Sequence, residues 1–136
     1  MTPPDTHQRI QMHANPRRVR VLYQNHVIAD SDDVIVLEEE GLDPVQYFPR
    51  GDVSMEYASK TDRRTTCPYK GEASYYTLLM EGVFAENVIW SYEDPIEGME
   101  ALRGRVAFYP DKVQIYELAS DERDAPAIDK GDPAVA

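Results

Sequence analysis

Cys67, Pro68, Tyr69, Lys70 and Gly71 place a thiol three residues before an ammonium, in a loop that proline stiffens and glycine turns. A cation beside a sulfur favours thiolate over thiol, which is how a nucleophilic cysteine is prepared. The competing reading is structural: a lone cysteine is more often a small buried hydrophobe, and a lone lysine a solvated charge. No base stands near Cys67 in the sequence, since His7 and His13 lie toward the N-terminus and His26 begins a hairpin.

Aromatic residues carry a second signal. Trp90 and Tyr92 are two apart in a β-type run and so project from one face, while Phe48, Tyr69, Tyr75 and Tyr109 flank turns. Arg50 and Lys70 are isolated cations, each beside a turn containing both proline and glycine. These positions predict that Arg50, Cys67, Lys70, Trp90 and Tyr109 converge on one concave site. As a binding module, that site has aromatic walls from Phe48, Tyr69, Trp90, Tyr92 and Tyr109, and Arg50 and Lys70 hold a small anionic or nucleotide-like ligand. As an enzyme of transferase or hydrolase type, Cys67 is the nucleophile, Lys70 or Arg50 stabilises developing charge, and Asp52 or Asp30 orients the cation. A third reading makes the same segments determinants of fold and of a protein-interaction surface.

Other chemistries find no support. Three scattered histidines and one cysteine show no zinc-ligand spacing, so no metal site is expected. Asp30, Asp32 and Asp33 lack the glycine and the closing glutamate of a calcium loop and read as turn residues. The glycines never cluster into a phosphate-cradling or dinucleotide fingerprint, and no cofactor is expected.

The elements that must position these residues read as strands. Arg18–Tyr23 and His26–Asp30 form a hairpin about Gln24 and Asn25, followed by Val34–Glu40 and Val45–Phe48. Val53–Tyr57 is either a strand or a single helical turn; Ala73–Glu81 and Asn87–Tyr92 are the longest runs and should pair. Ile96–Leu102 is the only helical stretch, ended by Gly104, and Arg105–Tyr109 with Lys112–Glu117 should close a final hairpin. About eight strands and one short helix predict a mainly β domain of packed antiparallel sheets.

At 136 residues the chain has the size of one domain. Its bounds read as a flexible tail over 1–6, a single unit over 7–118, and a flexible Pro/Asp/Ala-rich tail over 119–136. The net charge of −11 argues against a nucleic-acid polymer or an anionic membrane as partner and leaves a small-molecule anion or a second copy of the chain. Mean hydropathy is −0.56 and the polar N-terminus has no apolar signal core, which predicts a cytoplasmic protein.

Taken in order, Ile28–Ser31, Tyr47–Val53, Thr66–Gly71, Asn87–Pro95 and Gly104–Tyr109 closely resemble the small bacterial family called domain of unknown function 427, over about residues 7–116. The resemblance implies a mostly β domain like the tent-shaped pair of antiparallel sheets also seen in B-type methionine sulfoxide reductases. Many tent-fold proteins pin the apex with zinc on four cysteines; this chain has one, which implies a zinc-free version. Some members of the family carry a nucleotidyltransferase label, yet the paired metal-binding aspartates and glycine-serine turn of such enzymes are absent here.

Overall fold

Ten strands follow one another along residues 10–118, the span that the computed structural model describes: β1 (Ile10–Ala14), β2 (Val19–Tyr23), β3 (His26–Ser31), β4 (Ile35–Glu39), β5 (Val45–Tyr47), β6 (Ala58–Cys67), β7 (Gly71–Met80), β8 (Val83–Ser91), β9 (Val106–Phe108) and β10 (Gln114–Glu117). The tails expected at 1–6 and 119–136 lie outside the described residues. Gln24 and Asn25 take left-handed backbone, φ 51° and 64°, as a two-residue turn between twisted strands demands, and fold β2 onto β3. Asp30 locks that hairpin: it accepts from Arg18 Nε at 2.7 Å and from Arg20 Nε at 3.0 Å.

The strands form three antiparallel sheets, ordered β1-β4-β5, β10-β2-β3 and β6-β7-β8-β9. A bridge between Phe48 and Val106 links the end of β5 to β9, and one between Ala29 and Val53 holds the segment after β5 against β3. Because side chains alternate along a strand, the four-stranded sheet has two distinct faces. Tyr75, paired with Trp90, and Trp90, paired with Ala107, lie on one; Tyr76, paired with Ile89, and Ile89, paired with Phe108, lie on the other. Each face is covered. Tyr76, Ile89, Val106 and Phe108 pack with Val19, Val21, Ile28 and Phe48. Ala73, Tyr75, Tyr92 and Ala107 pack with Ile10, Leu37, Tyr47 and Leu102.

The mainly β, antiparallel architecture agrees with the sequence reading, with ten strands instead of about eight and three sheets instead of two. The expected short helix is a single 3-10 turn, Glu100–Leu102, and Val53–Tyr57 resolves into a turn at Met55–Tyr57. One pairing is corrected. The last two strands do not form a hairpin: β9 pairs with β8, and β10 crosses to pair with β2. Two strands were not anticipated, and both lie at sheet edges. β1 buries only Ile10 fully, and β6, ASKTDRRTTC, is charged, as an edge strand tolerates.

Candidate functional site

Lys70 is set by backbone before its side chain makes any contact. Its N–H donates to the Cys67 carbonyl at 3.2 Å, closing the turn between β6 and β7, and its carbonyl accepts from Ile96 N–H at 3.0 Å. Gly71 follows at φ 121°, pressed so closely on the 94–96 segment that an added Cβ would stand 3.3 Å from Ile96 N. Lys70 is thereby aimed at β4, where Nζ meets Glu39 Oε1 at 2.7 Å; Cys67 Sγ lies 3.6 Å away on the other side. Burial pulls the ammonium down, but the Glu39 hydrogen bond and the nearby Cys67, Glu39 and Tyr47 outweigh it and raise Lys70 above its ordinary value. Lys70 therefore carries its charge at neutral pH. An ammonium has three donors, and among the described residues Lys70 Nζ spends two, on Glu39 and Cys67.

Above this pair lies a cavity of about 230 Å³. Tyr47, Tyr75, Trp90, Tyr92 and Tyr109 wall it, Leu37 and Val45 add aliphatic surface, and Leu42 and Asp43 contribute from the β4–β5 turn. The rings are fixed against one another. Tyr47 stands perpendicular to Trp90 with centroids 6.4 Å apart, Trp90 Nε1 donates to the Tyr47 hydroxyl at 3.3 Å, and Tyr109 lies 4.6 Å from Trp90. Burial pushes the Tyr47 and Tyr92 phenols well above the usual range; the Trp90 hydrogen bond opposes this at Tyr47, and Cys67 adds to it at Tyr92. Both remain neutral O–H groups. The cavity thus offers polarisable ring surface and a buried ion pair in which, among the described residues, one ammonium hydrogen is unspent.

The structure brings Lys70, Trp90, Tyr92 and Tyr109 to this cavity, with Cys67 beside it through Lys70. Arg50 is elsewhere. Its guanidinium lies across the four-stranded sheet, donating to Gly104 O at 3.1 Å, Tyr76 Oη at 3.2 Å, Ser91 Oγ at 3.0 Å and Glu93 Oε2 at 3.3 Å. Convergence of Arg50 with Lys70 on one concave site is therefore corrected: alternation along β8 separates them. Glu93 also holds Lys60 at 2.7 Å. Burial raises Glu93, but hydrogen bonds from Lys60, Tyr76 and Ser74 and the Lys60 charge bring it down from 4.5 to about 2.

Phe48 is fully buried on that same far side, edge-on to Phe108 at 5.6 Å. Asp52 accepts from the Ser31 hydroxyl at 2.7 Å, Asp30 is occupied by Arg18 and Arg20, and Tyr69 packs partly buried at the margin of the core that contains Tyr47. Sequence reasoning missed Glu39, Tyr47, Leu37 and Val45. For Glu39 a signal existed: it sits two residues after Leu37, hence on the same face of β4.

The family model described as Domain of unknown function (DUF427) matches residues 11–119. The chain belongs to the DUF427 family. No curated protein matches it. Within this DUF427 domain the Tyr47–Val53 block serves both faces of the central sheet, sending Tyr47 to the cavity, Phe48 to the opposite core and Arg50 to the polar brace on Glu93. The Cys67–Gly71 block supplies the ammonium of the ion pair, and Asn87–Pro95 supplies Trp90 and Tyr92. Among the described residues of the DUF427 domain no group of three His, Cys, Asp or Glu side chains is placed to hold a metal ion, and no helix is long and apolar enough to cross a membrane.

Proposed function

We propose that this domain is a binding module whose aromatic cavity takes one flat ring bearing a hydrogen-bond acceptor, such as a nucleobase or a phenol. The observation that carries this reading is the unspent donor of Lys70 Nζ in a cavity walled by Trp90, Tyr47 and Tyr92. Of the two ligand descriptions drawn from the sequence, the lining favours the flat, nucleotide-like one over a simple anion. Two carboxylates, Glu39 and Asp43, line the cavity against one ammonium, which Glu39 already holds. The volume suits a single ring system and not a drug-sized ligand. Stacking is worth about 1–3 kcal/mol per base, so a ring against two such surfaces with one hydrogen bond reaches a Kd of about 1 mM or somewhat tighter. A lone free thiol fits a reducing compartment, and on that ground we place the protein in the cytoplasm.

Trp90 is the only tryptophan of the chain, so its emission reports on the cavity alone. Titration with uracil, adenine and p-cresol should quench or shift that emission saturably and raise the melting temperature by mass action. The reading is overturned if none of the three does either while phosphate or acetate stabilises the protein.

One observation favours a second reading, in which Cys67 is a nucleophile: the Lys70 ammonium stands 3.6 Å from its sulfur. Cys67 would then alkylate with iodoacetamide faster than free cysteine at neutral pH, and Lys70→Met would abolish the advantage. A rate no faster than that of free cysteine removes this reading and leaves the binding module.

A further inference from the structure

Tyr109 also lines a second, larger cavity of about 440 Å³, together with Arg63, Glu86, Asn87, Asp111 and Lys112. Tyr75, a wall of the aromatic cavity, carries the Arg63 guanidinium 4.8 Å above its ring centroid. Tyr109 is therefore shared by the linings of the two cavities, and Tyr75 lines the aromatic one.

The backbone around this groove departs from regular sheet on both sides of β7. The β6–β7 ladder breaks between Lys60 and Arg64, and the β7–β8 ladder breaks beside Thr77, so Thr61–Arg63 and Glu86–Val88 leave register opposite the same stretch of β7. The two displaced segments meet: the Thr61 hydroxyl donates to Asn87 Oδ1 at 2.6 Å. Asn87 takes a left-handed φ of 51°, and its N–H donates to Thr77 Oγ1 at 3.0 Å. Bulges forfeit ladder hydrogen bonds and re-aim side chains, and asparagine takes the left-handed region readily.

The groove carries exposed charges of both signs. Arg18, Arg50, Lys70 and Arg105 each sit on a carboxylate at 3.4 Å or less. Arg63, Lys112, Glu86 and Asp111 line one groove, yet none is in an ion pair among the described residues. Two charges of each sign, left unpaired beside one another, do not suit a dianionic tail, which would face both carboxylates, nor a cation, which would face both bases. They suit a group that carries both signs.

We propose that the two cavities form one bipartite site for an amino acid with a flat side chain. The ring occupies the aromatic cavity, the carboxylate lies at Arg63 and Lys112, and the ammonium lies at Glu86 and Asp111. Tyr109 lines both compartments, and a ligand that reaches past its ring touches both. This inference rests on the ring-binding reading above and adds the chemistry of the head group.

Four phenols separate the contributions: p-cresol has neither charge, tyramine the ammonium, 3-(4-hydroxyphenyl)propanoate the carboxylate and L-tyrosine both. Trp90 emission, excited beyond the absorption of tyrosine, is titrated with each. L-tyrosine should bind at least about tenfold more tightly than the other three. The Lys112→Gln variant should lower L-tyrosine toward the level of p-cresol while leaving p-cresol itself unchanged, which also shows that the variant is folded. Equal affinities for all four phenols overturn the head-group assignment and leave the ring site standing. Propanoate binding as tightly as L-tyrosine overturns it in favour of an anionic tail. If none of the four binds, the ring-binding reading fails and this inference fails with it.

Discussion

Trp90 and Ser91 are neighbours on β8 and serve opposite faces of the four-stranded sheet: Trp90 Nε1 donates to Tyr47 at 3.3 Å inside the aromatic cavity, while Ser91 Oγ accepts from Arg50 at 3.0 Å on the other side. A single step along the strand thus divides the polar brace around Arg50 from the ion pair of Lys70.

Arg50→Ala should accordingly be a stability variant and not a binding variant. It removes four hydrogen bonds, one of them to the Glu93 carboxylate, from a side chain that is partly solvated. A loss of about 1–3 kcal/mol is expected in chemical denaturation. Titration of Trp90 with p-cresol should give the same affinity as in the unaltered protein; a tenfold weakening would show that the two faces communicate.

The Lys70–Glu39 pair should behave as a buried ion pair, with side chains 11% and 7% exposed. Lys70→Met takes the ammonium away from the Glu39 carboxylate and should cost about 3–5 kcal/mol, whereas Lys70→Met combined with Glu39→Leu should recover most of that loss, because the buried carboxylate goes together with the ammonium it accepts from. Ring binding should be weakened in both variants, since both lack the ammonium donor. Denaturant midpoints read the first effect and Trp90 emission the second.

Much of the fold was legible because apolar alternation and turn chemistry coincide in β2, β3, β4, β7 and β8. β6 was not, since an edge strand carrying Lys60, Arg63 and Arg64 has no apolar face to betray it. The pairing of β9 and β10 was misjudged for a different reason: Pro110 and Asp111 do turn the chain, but the turn delivers β10 to β2, a non-local partner that no short-range signal specifies. In the site, Trp90, Tyr92 and Lys70 could be anticipated from spacing and from the rigid turn. The exclusion of Arg50 could not, because the sequence does not say which face of β8 the Arg50–Asp52 turn approaches.

Glu93 sets an acid limit on stability that can be isolated by difference. Its carboxyl titrates at about 2 in the folded protein against 4.5 in the free side chain, so its contribution is complete above about pH 4.5 and drains away as pH falls toward 2. Melting temperatures of the unaltered protein and of Glu93→Gln should differ most above pH 4.5 and converge as pH approaches 2. A difference that grows on acidification would contradict the sign of this shift.

The central claim is that a flat ring enters the cavity against Trp90, and the indole N–H of Trp90 tests it most directly. With one tryptophan in the chain, the nitrogen–proton correlation spectrum contains a single indole signal, and its N–H is hydrogen-bonded to Tyr47 in the cavity wall. Titration with p-cresol or uracil should move that signal saturably, with Lys70→Met weakening the response. If either ring binds saturably by calorimetry while the indole signal stays in place, the ligand sits elsewhere and the account is wrong.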